Sequence, residues 1–125
     1  MGAPTQDNWG IRTGESLDVG VQYPYAAPVD PRLDGSVFCL AFLDPVNPLL
    51  SWLSLASDDG VRSIEVSAWV ANTSINFTFR ASAQAIRQIN PNAYMGVLYH
   101  RQPRDGAFGP RVTAVAVVTL TVSAP

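Results

Sequence analysis

The chain has 125 residues, of which 47% are hydrophobic and 14% charged, with a formal net charge of −2. That length accommodates one domain with one core, and a charged fraction this far below the usual quarter suits a surface that packs against other protein. The basic residues are all arginine and nowhere clustered, which excludes a nucleic-acid-binding stripe and attraction to an anionic membrane.

Residues 1–13 show no clear periodicity and carry Trp9 and Ile11 as large apolar residues. They read as an extended arm, mobile in the free chain and ordered against a neighbouring subunit that buries Trp9. A single domain at 14–125 follows. Its first strand alternates, with Leu17, Val19, Val21 and Tyr23 on one face, until Pro24 and Pro28 end it. Pro28 to Gly35 is a loop with an Asp34-Gly35 turn signal. Ser36 to Leu43 is apolar on both faces, as in a strand covered on both sides. Asp44-Pro45-Val46-Asn47-Pro48 excludes helix and central strand, and Leu49 to Ala56 suits a short strand.

Ser57-Asp58-Asp59-Gly60 is a turn. In the next strand Ile64, Val66, Ala68 and Val70 point inward, and Ser63, Glu65, Ser67 and Trp69 outward. Asn72-Thr73-Ser74 joins it to Ile75–Arg80 as a hairpin. Ser82 caps a short helix whose Ala85, Ile86 and Ile89 face the core. Asn90-Pro91-Asn92 breaks that helix. Tyr94 to Arg101 and Arg111 to Val122 form a last hairpin around Pro103-Arg104-Asp105-Gly106, and Val112, Ala114, Ala116, Val118, Leu120 and Val122 line one face of its long final strand. A long edge of this kind requires a cover, and a neighbouring subunit is one. About seven strands and one short helix predict an all-β fold, an immunoglobulin-like β-sandwich. A jelly roll is the alternative, because strand order is not written in the pattern.

Enzyme chemistry finds little to use. His100 is the single imidazole, expected half-exposed on its strand, with Asp105 as its nearest orienting acid. Cys39 lies in an apolar run and reads as a small core residue. One Cys and one His do not make a zinc site, and Asp30, Asp34, Asp58 and Asp59 read as turn formers instead of calcium ligands. The expectation is therefore no catalytic residue, no cofactor and no metal. The aromatic residues are the better lead. Trp9, Ile11, Tyr23, Tyr25 and Trp69 are the interface candidates, since exposed Trp and Tyr build binding hot spots. Trp69 also suits a sugar platform. No secretory signal and no apolar run of membrane-spanning length is evident, so synthesis in the cytoplasm is expected.

Several segments together carry a resemblance. Gly14-Glu15 opens a strand. Pro28-Val29-Asp30 and Leu33-Asp34-Gly35 lead into Ser36-Val37-Phe38. Phe77-Thr78-Phe79 is followed by Ser82-Ala83-Gln84-Ala85-Ile86 and Asn90-Pro91-Asn92-Ala93-Tyr94. Asp105-Gly106 and Thr119-Leu120-Thr121-Val122 complete the series. From Gly14 to Pro125 this layout resembles small immunoglobulin-like structural proteins of tailed bacteriophages, of the head-decoration and baseplate types. The arginine-only basic complement fits the codon bias of a GC-rich bacterial or phage genome. The sequence departs from the pattern at Pro45 to Trp52, where its loop is longer and apolar. The resemblance implies a non-enzymatic virion protein assembled in the host cytoplasm. Its leading form is a capsid decoration protein that binds and stabilises the head shell, with the major capsid protein as partner and a homo-oligomer, most simply a trimer, on the particle. A tail or baseplate adaptor is the alternative. A carbohydrate-binding sandwich, with a host glycan as partner, is a third reading from a different class.

Overall fold

The computed structural model describes residues 4–47, 49–87, 89–104 and 109–124. Among them run eight strands and one short helix: β1 (Thr5–Arg12), β2 (Leu17–Pro24), β3 (Val37–Leu43), β4 (Ser51–Ala56), β5 (Arg62–Val70), β6 (Ser74–Ala81), α1 (Ala83–Arg87), β7 (Asn92–Arg104) and β8 (Pro110–Ser123). The fold is all-β. Hydrogen bonds join the strands into one mixed sheet in the order β1-β8-β7-β3-β4-β5-β6-β2. The sheet rolls until its edges, β1 and β2, approach each other, so it is nearly closed into a barrel. β4 and β5 share a single parallel bridge, Ala56 to Ser63. At that corner the β1-β8-β7-β3-β4 half folds over to face the β5-β6-β2 half.

Successive side chains of a strand point to opposite faces, and this alternation builds the core. In β3 Phe38, Leu40 and Phe42 are buried, while Val37, Cys39 and Ala41 are half-covered and Leu43 is exposed. The apolar outer face of β3 is thus only partly covered, where full cover on both sides was expected. From the opposite half, β6 sends in Ile75, Phe77 and Phe79. Phe38 meets Phe77 edge-on at 4.9 Å. Ser82 caps α1 as expected, its Oγ accepting from the Ala85 amide at 3.3 Å, and Ala85, Ile86 and Ile89 are buried.

The eighth strand is the segment expected to be an arm. β1 runs parallel to β8, from Thr5 opposite Ala116 to Arg12 opposite Ser123. Its inward positions are Thr5, Asp7, Trp9 and Ile11. Only Trp9 among them is fully buried, and its ring lies 4.7 Å from Phe79 and 6.0 Å from Phe42, bridging the two halves. Trp9 therefore docks in its own chain, not on a neighbour. The gap between β1 and β2 is crossed by side chains. The Tyr23 hydroxyl donates to Asp7 Oδ2 at 2.7 Å, and the Trp9 indole N–H donates to the same oxygen at 3.2 Å. Burial pushes the Asp7 carboxyl up, but bonds from Tyr23, the Asn8 amide and Trp9 outweigh it and hold the group below its ordinary range. Burial and the adjacent carboxylate both drive the Tyr23 phenol up, so it stays a donor.

Two irregularities change which side chains face inward. The register of β5 against β6 shifts between Val66 and Ala68. A bulge of this kind reverses the alternation beyond it, turning Trp69 toward the core and leaving Val70 exposed, the opposite of the parity expected from the sequence. In β8 the register shifts where Leu98 faces Ala116 and Tyr99 faces Ala114. Val115 is the extra residue, so it is buried, and Val112 is exposed. The turn expected at Asp105-Gly106 lies outside the described residues.

Two substitutions test this packing. Trp9→Ala removes the ring that spans the two halves and is expected to cost about 3–5 kcal/mol in urea unfolding; a loss under ~1 kcal/mol contradicts the placement of β1. At Gly96 a Cβ would lie 2.7 Å from the Ala41 carbonyl oxygen on β3. Gly96→Ala should accordingly destabilise by about 1–3 kcal/mol, read as a lowered urea midpoint.

Candidate functional site

The two ends of the roll differ in chemistry. At one end, β2 finishes at Pro24 and the chain continues into a tethered strap. The Tyr25 amide donates to the Thr73 carbonyl at 3.1 Å. The Ala27 carbonyl accepts from the Asn72 amide and from the Trp69 indole N–H, both at 3.0 Å. Beside this strap, β7 places His100 inward, with Phe38 of β3 and Thr113 of β8 as its register partners. His100 is 2% exposed and stacks on Phe38 at 4.6 Å, with 12° between the planes. It was expected half-exposed. It is buried because three segments distant in sequence supply its partners.

Those partners form a directed chain. His100 Nδ1 lies 2.8 Å from the Tyr25 hydroxyl, and Nε2 lies 2.8 Å from Ser36 Oγ. Ser36 Oγ is bonded in turn to Asp34 Oδ1, which also accepts from the Ser36 amide. An ionised carboxylate only accepts, so the Ser36 hydroxyl donates to Asp34. Ser36 then accepts from Nε2–H, and Nδ1 accepts from Tyr25. A neutral imidazole satisfies every group. Burial pushes the His100 pKa down, against a smaller upward pull from the Asp34 charge. Burial pushes the Tyr25 phenol up, opposed by Thr113 and Arg111. In a nucleophilic triad the serine gives its proton to histidine. Here it gives it to a carboxylate, so the chain of bonds locks the strap and the 34–36 turn onto β7. Above it opens a cavity of about 640 Å³, with Pro24, Ala26, Pro28 and Val29 on one wall and Arg111 and Thr113 on the other.

The other end carries the apolar loop between β3 and β4. Asp44 Oδ1 accepts the amides of Val46 and Asn47 at 2.8 and 3.1 Å. Its Oδ2 accepts the Trp52 indole N–H at 2.6 Å. The Leu50 amide donates to the Asn47 carbonyl, and the Asp44 amide to the Leu50 carbonyl. The backbone bonds, with that from Trp52, hold the Asp44 carboxyl below its usual range. Around these bonds the described apolar side chains of the loop stand outward. Val46 is 91% exposed, Leu49 92%, Leu50 56% and the adjoining Met95 60%. Leu43 and Met95 are register partners, which joins the loop to β7.

None of the five interface candidates is an exposed side chain. Trp9 and Tyr23 are buried at the β1–β2 gap, Ile11 and Trp69 are partly buried against the core, and Tyr25 anchors the His100 chain while lining the cavity. Among the described residues, Val46 and Leu49 are the most exposed large apolar side chains, with Leu50 and Met95 beside them; Leu33, Val61, Val112, Val29 and Val70 are exposed singly elsewhere. The loop's signal was present in the sequence as two Asx-type acceptors, Asp44 and Asn47, framing an apolar run. Among the described residues no group of three or more metal-ligating side chains converges.

No family model matches the chain, and no curated protein matches it. Among solved structures it is similar to AggA, the major subunit of aggregative adherence fimbriae type I (AAF/I) from Escherichia coli, at 12% identity and a TM-score of 0.40, over 97% of this chain and 91% of that one. A likeness at that level carries no argument about function.

The buried imidazole fixes a pH response. Unfolded, His100 takes up a proton near pH 6.5, whereas in the fold its pKa is lower. As pH falls through the unfolded value the unfolded state binds the proton first. The stability present above that pH is therefore lost on the way down to the folded pKa. The melting temperature should drop as the pH falls from neutral through the unfolded pKa of about 6.5, and this slope should flatten in His100→Gln. Parallel profiles for the two proteins contradict the burial of a neutral imidazole.

Proposed function

We propose that this chain is a non-enzymatic structural protein that attaches to a larger protein assembly through its apolar 44–50 loop, with Leu43, Trp52 and Met95 beside it. The observation that carries the reading is that the amides of Val46, Asn47 and Leu50 are bonded within the loop while the Val46 and Leu49 side chains stand in water. A mobile loop loses conformational freedom when it binds. The internal hydrogen bonds of Val46, Asn47 and Leu50 reduce that cost, so less of the gain from burying Val46 and Leu49 is offset. Each such side chain contributes about 1.5–3 kcal/mol when fully buried.

The finer form of the proposal follows the family resemblance. It is an immunoglobulin-like virion protein, specifically a capsid decoration protein on the head shell, with a tail or baseplate adaptor as the second form. The weakly charged composition supports it. A glycan platform at Trp69 draws no support from the geometry, because that indole N–H is held by the Ala27 carbonyl.

Gradient sedimentation of particle preparations tests the reading. The wild-type chain is expected to travel with particles, and electron microscopy then shows whether it sits on head or tail. Val46→Asp combined with Leu49→Asp should keep the wild-type melting temperature and abolish co-sedimentation. A wild-type chain that never enters particles, or a double variant that attaches as well as wild type, overturns the proposal.

A further inference from the structure

We infer that the surface receiving the apolar loop is the Tyr25 cavity on a second copy of this chain, so that copies join head to tail. The inference rests on the docking reading of the loop and names its partner as a second copy of this chain, so that the loop joins copies within the assembly and is not the contact to the head shell. Its first basis is position. Along β3 and β7 the loop end is marked by the pair Leu43 and Met95, and the cavity end by Phe38 and His100. Roughly 17 Å of strand separates the two pairs. The donor surface and the receiving cavity thus lie at opposite ends of one molecule and never compete for the same space.

The second basis is complementarity. The loop presents Val46 and Leu49 almost wholly to solvent. The cavity is concave, and Pro24, Ala26, Pro28 and Val29 give it an apolar wall. Its volume of about 640 Å³ falls in the range of pockets that enclose small apolar ligands. The loop's charge is the Asp44 carboxylate, and the cavity carries the Arg111 guanidinium. Asp34 also lines the cavity, with its Oδ1 already bonded to Ser36. A two-fold pairing of loop on loop would set two exposed surfaces tip to tip and cover little of either. A loop in a cavity is a heterologous contact, which builds a ring where successive rotations close and a chain where they do not.

Heterologous contacts permit a decisive mixing experiment, read by sedimentation velocity. Val46→Asp with Leu49→Asp spoils the loop and leaves the cavity intact. Ala26→Trp fills the cavity from its exposed wall and leaves the loop intact; Val29→Arg serves the same purpose should Ala26→Trp lose its fold by circular dichroism. Wild type is expected to associate increasingly with concentration, and each variant alone to remain monomeric. An equimolar mixture of loop and cavity variants should form a heterodimer through its one undamaged pair. A wild-type chain that stays monomeric at its solubility limit overturns the inference. So does a mixture that stays monomeric while wild type associates. If the loop variant loses particle attachment but the cavity variant keeps it, the loop docks on a different protein: the inference falls and the structural role stands.

Discussion

The contact on which the rest of the structure depends is Trp9 lying between Phe42 and Phe79. The two rings belong to opposite halves of the rolled sheet, and Trp9 belongs to the edge strand that must be in place for the roll to close. With β1 docked on β8, the interior is sealed by Asp7 accepting from Tyr23 and Trp9 across the remaining gap. A strand edge is otherwise open to pairing with another chain. Here the two edges approach each other, and the side-chain bonds between them reduce that exposure. The cavity inherits the same dependence, because Pro4 and Thr5 at the start of β1 form part of its wall.

The legible parts of the fold were those encoded over a few residues. The inward set Leu17, Val19, Val21 and Tyr23, the β5–β6 hairpin at Asn72-Thr73 and the Ser82 cap each follow from local chemistry. β1 was not legible because two of its four inward positions, Thr5 and Asp7, are polar, so the strand alternates in space without alternating in hydropathy. Trp69 and Val112 were misplaced because a bulge adds one residue and reverses parity, and nothing in Ser67-Ala68 or Ala114-Val115 marks it. Burial of His100 depends on Tyr25 and Ser36, 75 and 64 residues away, and no spacing within one strand reveals such partners. The 44–50 loop stood out in the sequence only as an oddity in an otherwise familiar pattern. Its significance lies in the hydrogen bonds that hold it open.

The two ends divide the chemistry between them. The Tyr25 end keeps the buried polar groups of the His100 chain satisfied within the molecule, ending in a carboxylate that fixes the direction of those bonds. The loop end does the reverse, satisfying its backbone so that its apolar side chains remain free. The ion pairs Asp30–Arg32 and Asp18–Arg80 sit on accessible surface, where such pairs contribute little. The association proposed for this molecule would therefore be an apolar event set by shape, with the Asp44 and Arg111 charges adding selectivity.

Amide hydrogen exchange, compared between the dilute chain and the same chain in its assembled form, tests this account most directly. In the dilute chain the amides of Val46, Asn47 and Leu50 should already be protected, since each has an acceptor within the loop. On assembly, further protection should appear at the loop and Met95 and, in the receiving copy, around Tyr25 and Ala26. Protection gained instead on the outer faces of β5 and β7, with the loop unchanged, would contradict it.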